Sequence, residues 1–304
     1  MAFPDASGGS RHPAAPVALL VLLGFLGAVF AADVRAQRAD LVVSAPAGQA
    51  GIARRIREID QAPLASALEQ AGLPMPPRVG ILVLPDGDPR AGRVPRWIVG
   101  LAAGVDEIAI FPDRIGSYPY GSLESVVRHE IVHLALNMRA GERPLPRWFH
   151  EGVAVTVESG WGARDQLRLL LAAFDRPAIT DLHRLFASDA YPETSQAYLL
   201  SGALVHDVRA RFGSAAPGAI AGLVSSGLPF EDAFERTTGE QVEDAASRAW
   251  AGYRRLSQWI PVATSPSAVW LLILGVATVA FVFSVRRRRA LRRRWEEEEE
   301  VADR

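Results

Sequence analysis

"RHEIVHLALN" (Arg128–Asn137) sets two histidines four residues apart with a glutamate directly after the first. On a helix, positions i and i+4 share a face one turn apart, so His129 and His133 can turn their imidazoles toward a single ion. Glu130, adjacent to the first histidine, reaches a water on that ion rather than the ion itself. One helical turn thus offers two neutral ligands and a carboxylate base. Val127, Ile131 and Leu134 make the opposite, apolar face, which anchors such a helix in a core while its polar stripe faces a cleft. With six histidines in 304 residues, chance produces this pattern about one time in a hundred.

The neighbouring sequence gives that helix its ends. Ser122 is placed to cap it, Glu124 puts an acid in its first turn, and Gly141 stops it. Upstream, "RVGILVLP" (78–85) and "DEIAIFP" (106–112) are β-branched runs closed by proline and read as strands; "RWIVGLAAG" (96–104) reads as a strand or a loop. Further back, residues 47–72 carry Ile52, Ile56, Ile59, Leu64 and Leu68 at helical spacing, closed by Gly72 and prolines. From Trp148 onward nearly every stretch is helical in pattern. Strands first and helices after predict an α+β body, and there is no internal repeat.

Composition narrows the chemistry. The chain has 33 basic and 34 acidic residues, so no global field calls for nucleic acid. It has no cysteine, which removes disulfides, thiolate zinc sites and cysteine nucleophiles together. A metal must therefore be held by nitrogen and oxygen. All the basic residues are arginine, as in the coding sequence of a GC-rich bacterium.

Two apolar stretches set an expected topology. Arg11 precedes Val17–Ala32, and Val34 and Ala36 offer small residues before Gln37, so residues 1–36 read as a secretory signal peptide or, if uncleaved, an anchor. Ser267–Val285 has no charged residue and is long enough, at ~1.5 Å per residue, to cover a ~30 Å hydrocarbon core. Arg286–Arg289 and Arg292–Arg294 follow at once, which predicts a transmembrane helix at 267–285 with a cytoplasmic tail at 286–304. Trp259, Trp270 and Trp295 stand near its ends, and Glu296–Glu300 reads as a solvated, disordered tail. Residues 37–260 are then one extracytoplasmic domain, joined by a linker at 261–266 to a bacterial inner membrane. The expected partners are the bilayer and a peptide or protein substrate.

Downstream of the paired histidines lies "PRWFHEGVAVTVE" (146–158), with 17 residues between His133 and Glu151. Together "HEIVH" and "WFHEGVAVTVE" resemble the glutamate-zincins, in particular the peptidase MA-like group and the aminopeptidases related to thermolysin. The resemblance covers about residues 95–255 and implies a zincin-like catalytic domain: an N-terminal mixed sheet with the active-site helix, then a helical half. It implies one Zn2+ held by His129, His133 and Glu151, with Glu130 as general base. His150 competes for the third position, although the family pattern points one residue on. Glu158 is either an acceptor behind a ligating imidazole or a surface acid. "AYLLSGALVHDVRARFG" (197–213) resembles the family's helix that opens with a catalytic tyrosine, which implies that Tyr198 donates to the oxyanion; its other reading is a core tyrosine. The metzincin pattern fails, because Leu136 and Arg139 stand where it needs glycine and histidine. The strand by which the aminopeptidases hold a free amine is replaced by "AGVDEIAIF" (103–111), where Asp106 or Glu107 could meet an amine. The expected function is a membrane-anchored zinc metallopeptidase; the alternative is a catalytically inactive zincin-fold module that binds a partner.

Overall fold

Four short strands carry the N-terminal half: β1 (Asp40–Ser44), β2 (Arg78–Val83), β3 (Gly100–Ala103) and β4 (Glu107–Ile110). They form one mixed sheet in the order β1-β2-β4-β3, with β1, β2 and β4 parallel and β3 antiparallel at the edge. The computed structural model describes residues 38–116, 119–171, 178–188, 191–257 and 265–302. The expected leader, Trp259 and linker positions 261–264 lie outside the described residues.

The sheet alternates as one packed face should: Val79, Ile81, Val83, Ile108 and Ile110 are buried, whereas Val42 and Leu101 on the other face are exposed. β1 escaped the sequence reading because its five residues include an acid and a serine at the ends. The helical spacing at residues 47–72 resolves into two helices, α1 (Ala50–Arg57) and α2 (Ala62–Gln70). The break has a cause: Pro63 is tolerated only in a first turn, and Asp60 Oδ1 accepts from Ala62 N at 3.1 Å.

Against the packed face lies α3 (Leu123–Ala140). Ser122 Oγ accepts from Ser125 N, Ser125 Oγ accepts from Ser122 N, and Gly141 ends the helix in the left-handed region at φ 61°. The rest is helical: α4 (Arg147–Glu158), α5 (Ala163–Leu171), α6 (Ile179–Ala187), α7 (Tyr191–Phe212), α8 (Ala216–Ser225), α9 (Phe230–Thr238) and α10 (Val242–Ser257). The architecture is α+β, sheet first and helices after. One continuous core joins both halves, from Ile56 and Val79 through Ile131 and Val153 to Leu204, Phe234 and Trp250. The pairing of α4 with α7 is close because Gly152 has no side chain: a Cβ there would stand 2.5 Å from Ser201 O.

Pro266–Ala302 is one helix, α11, and it includes the apolar run 267–285. Trp270, Leu271, Leu274, Val276, Phe281 and Phe283 on it are 63–69% exposed. Among the described residues no helix is long and apolar enough to cross a membrane. The side chains of Ala268, Val269 and Leu272, within the run, are outside the described set. Membrane crossing is thus a proposal rather than a property of the fold. The acidic tail is a correction: Glu296–Glu300 continue the helix instead of leaving it. Extension of a formed helix needs no new nucleus, and Arg, Ala and Glu are good helix formers.

Candidate metal centre

α3 and α4 cross so that three side chains from the sequence motif meet. His129 Nε2 lies 3.3 Å and His133 Nε2 3.5 Å from the same oxygen, Glu151 Oε2. One ligand atom from each of the three residues falls within 4.8 Å of the others, and the group could hold a metal ion. The spacing suits one: donors around a tetrahedral ion with ~2.0–2.1 Å bonds sit about 3.3–3.4 Å apart. His129 and Glu151 are buried and His133 nearly so. The two imidazoles stand edge to face, centroids 4.8 Å apart.

The electrostatics follow from burying two imidazoles and two carboxylates together. Burial alone would raise the Glu151 carboxyl, but the two imidazoles beside it hold it well below its usual range. Burial lowers His129 despite its bond to Glu151, whereas at His133 the neighbouring carboxylates win and raise it. Glu130 is pushed up to about 7, chiefly by burial; Ala102 N–H, on β3, donates to it and His133 opposes the rise. Glu130 fits under β3 only because Gly100 lacks a side chain, since a Cβ there would collide with Glu130 Oε1.

A cleft of about 330 Å³ opens over this group. Its walls include β3, Glu130, His133, Glu151 and Tyr198. Tyr198, from α7, is 6% exposed and its ring centroid is 6.3 Å from that of His129. Burial raises its phenol well above the usual value, so it stays protonated and able to donate at neutral pH. His150 lines the same cleft, 5.6 Å from the His133 ring, but is not in the convergent group. Burial lowers it to about 4.

Three acids stand elsewhere. Glu158 lies two helical turns beyond Glu151, about 10 Å along the axis. It lines a separate cavity with Arg128, Trp161, His206 and Arg209, so it does not support a ligating imidazole. Asp106 and Glu107 line a cavity on the outer face of the sheet, away from the cleft.

Tyr120 was not foreseen. Its hydroxyl is 3.3 Å from that of Tyr198 and its ring centroid 5.0 Å from that of His129. One of the paired hydroxyls donates to the other, which leaves one O–H free for whatever enters the cleft. Arg147 and Trp97 are among the further lining residues that were not foreseen. The loop bearing Trp97 is fixed by Arg114, whose guanidinium pairs with Asp86 and donates to the carbonyls of Ala91, Pro95 and Ile98. No spacing rule marks residues that reach a site from loops and helix starts.

Fold and site together define an α+β protein with a buried His–His–Glu group able to hold one metal ion, consistent with the glutamate-zincin motif. Compared with protein-family models, curated proteins and solved structures, the chain matches none.

Proposed function

We propose that the chain is a membrane-anchored zinc metallopeptidase that hydrolyses peptide bonds on the extracytoplasmic side of the membrane. The observation that carries this reading is the convergence of His129, His133 and Glu151 beside a carboxylate, Glu130, at the floor of an open cleft. Two imidazoles and a carboxylate are the donors expected of a catalytic zinc site with one position left for water. Bound there, zinc would acidify that water and polarise the scissile carbonyl. Glu130 takes the proton of the attacking water and passes it to the leaving amine nitrogen as the C–N bond breaks; a carboxyl near 7 is matched to both transfers. The free O–H of the tyrosine pair, delivered by Tyr198, donates to the oxyanion that forms on the carbonyl. β3 offers an open strand edge along the cleft for an extended chain.

The exposed apolar side chains of α11 and the seven arginines at 286–289 and 292–294 support lipid as the partner of that helix, with the tail in the cytoplasm. The test is digestion of a peptide library by the full-length chain in detergent, with and without chelator. Cleavage that chelator stops and zinc restores is the expected result. A chain that holds less than about half an equivalent of zinc after gentle purification would instead favour a binding module.

A further inference from the structure

We propose that Arg147 and Trp97 form a carboxylate-reading subsite beside the metal-capable group, so that the cleft selects peptides with an acidic side chain, or a free C-terminal carboxylate, near the bond that is cut. The inference deepens the peptidase reading and rests on it for the word substrate, but the geometry stands separately. Arg147 opens α4, one turn before Glu151, and its Nε is 3.7 Å from Glu151 Oε1. Its Nη1 donates to Phe186 O at 3.0 Å, and its guanidinium carbon lies 4.8 Å from the Phe186 ring centroid and 5.8 Å from that of Trp97. The guanidinium is thus held in place before any ligand arrives.

Its remaining donors are unspent. The second Nη1 hydrogen and both Nη2 hydrogens have no protein acceptor among the described residues, and the side chain is 42% exposed where it lines the cleft. Trp97 supplies an independent observation: its indole Nε1–H is buried without an acceptor, on the wall of the same cleft. The guanidinium offers the cleft a planar fork with free N–H groups, and the indole N–H of the neighbouring lining residue Trp97 is buried and still lacks an acceptor. A carboxylate matches the fork because it accepts two bonds from one guanidinium and requires no donor in return. The pair with Glu151 runs through Nε, at 3.7 Å, and leaves the Nη groups out of it. Were Arg147 only a tether between α4 and α6, it would confer no selectivity.

The experiment uses the full-length, zinc-loaded chain in detergent with Glu130→Gln to prevent turnover. Affinities are measured for one peptide with Glu or Gln at each position and with a free or amidated C-terminus; the two substitution series separate a side-chain carboxylate from a terminal one. At least one acid-bearing peptide is expected to bind about tenfold or more tighter than its amide partner. Adding Arg147→Gln should bring that ratio to near one, and Trp97→Phe should narrow it, while zinc content reports that the site still forms. Equal affinities across all acid and amide pairs overturn the subsite, as does a preference that neither substitution changes. If Arg147→Gln fails to hold zinc, the parent ratio and Trp97→Phe decide. Hydrolysis of the same peptides by the unsubstituted chain tests the peptidase reading alone: cleavage without acid preference removes only the subsite, and acid-selective binding without cleavage removes only the peptidase.

Discussion

Two glutamates on α4, Glu151 and Glu158, begin from the same residue type on the same helix and end with opposite chemistry. Glu151 meets two imidazoles and is held ionised despite burial. Glu158, two turns on, is partly buried in a cavity with Arg128 and Arg209, yet has no ion pair within 4 Å among the described residues, and burial pushes it to about 7. Burial is common to both. What separates them is whether a neighbouring helix delivers donors within bonding distance, which α3 does at one end of α4 and not at the other.

The largest expected effect breaks this contrast directly. Glu151→Ala should drop zinc from about one equivalent to under half and abolish cleavage, as read by metal analysis and a peptide assay; Glu158→Ala should leave both within about twofold. If both substitutions lost zinc, the two ends of α4 would not be distinct. Next is Glu130→Gln, expected to keep the metal while kcat falls by about 10²–10⁴. Turnover close to that of the parent chain would mean that another group takes the proton.

The tyrosine pair should give a smaller effect. Tyr198→Phe is expected to lower kcat by about 10²-fold and Tyr120→Phe by about tenfold, with KM changed less in each, because in the proposed mechanism the hydroxyls act on the oxyanion rather than on bound substrate. A Tyr120→Phe chain that loses as much as Tyr198→Phe would reverse the assignment of donor and support.

The smallest effect is in stability. The folded-state pKa of Glu158, about 7, lies above the ordinary carboxyl value of 4.5. Its protonated form is favoured by folding, so its contribution is full below about 4.5 and is lost as pH rises through about 7. Glu158→Gln should therefore raise the Tm at pH 8 relative to the parent by a few degrees at most and change it little at pH 4.5. In the metal-free chain Glu151 has the opposite sign: its depressed pKa stabilises the fold above the ordinary carboxylate range, and that contribution disappears as pH falls. A Glu158→Gln chain with the parent's pH dependence would show that the carboxyl is solvated.

The same contrast explains what could be read in advance. The bounds of α3, the pairing of His129 with His133 and the orientation of Val127, Ile131 and Leu134 all follow from a period of 3.6 residues and from local caps. Glu151 was reachable only through its resemblance to a known pattern, because its meeting with α3 depends on how two helices cross. Glu158 stayed open between two readings for the same reason: helical spacing puts it on the face of Glu151 but says nothing of how far along the axis the imidazoles extend. Tyr120, Trp97 and Arg147 reach the cleft from a cap-flanking loop, a clamped loop and a helix start, positions where no periodic signal exists. The break between α1 and α2 was visible in Pro63 once first-turn proline was weighed above apolar spacing. The helical continuation through Glu296–Glu300 reflects a helix already nucleated upstream, which local charge does not reveal.

The bare backbone at Gly100 has a mechanical consequence. Because Glu130 rests directly beneath the outermost strand, with Ala102 N–H as its tether, that strand would, in the proposed function, be both a docking rail and the roof of the reagent. A chain pressed onto such a rail would bear on the carboxylate below it, so engagement and alignment would become one displacement, and a methyl group at position 100 would wedge them apart.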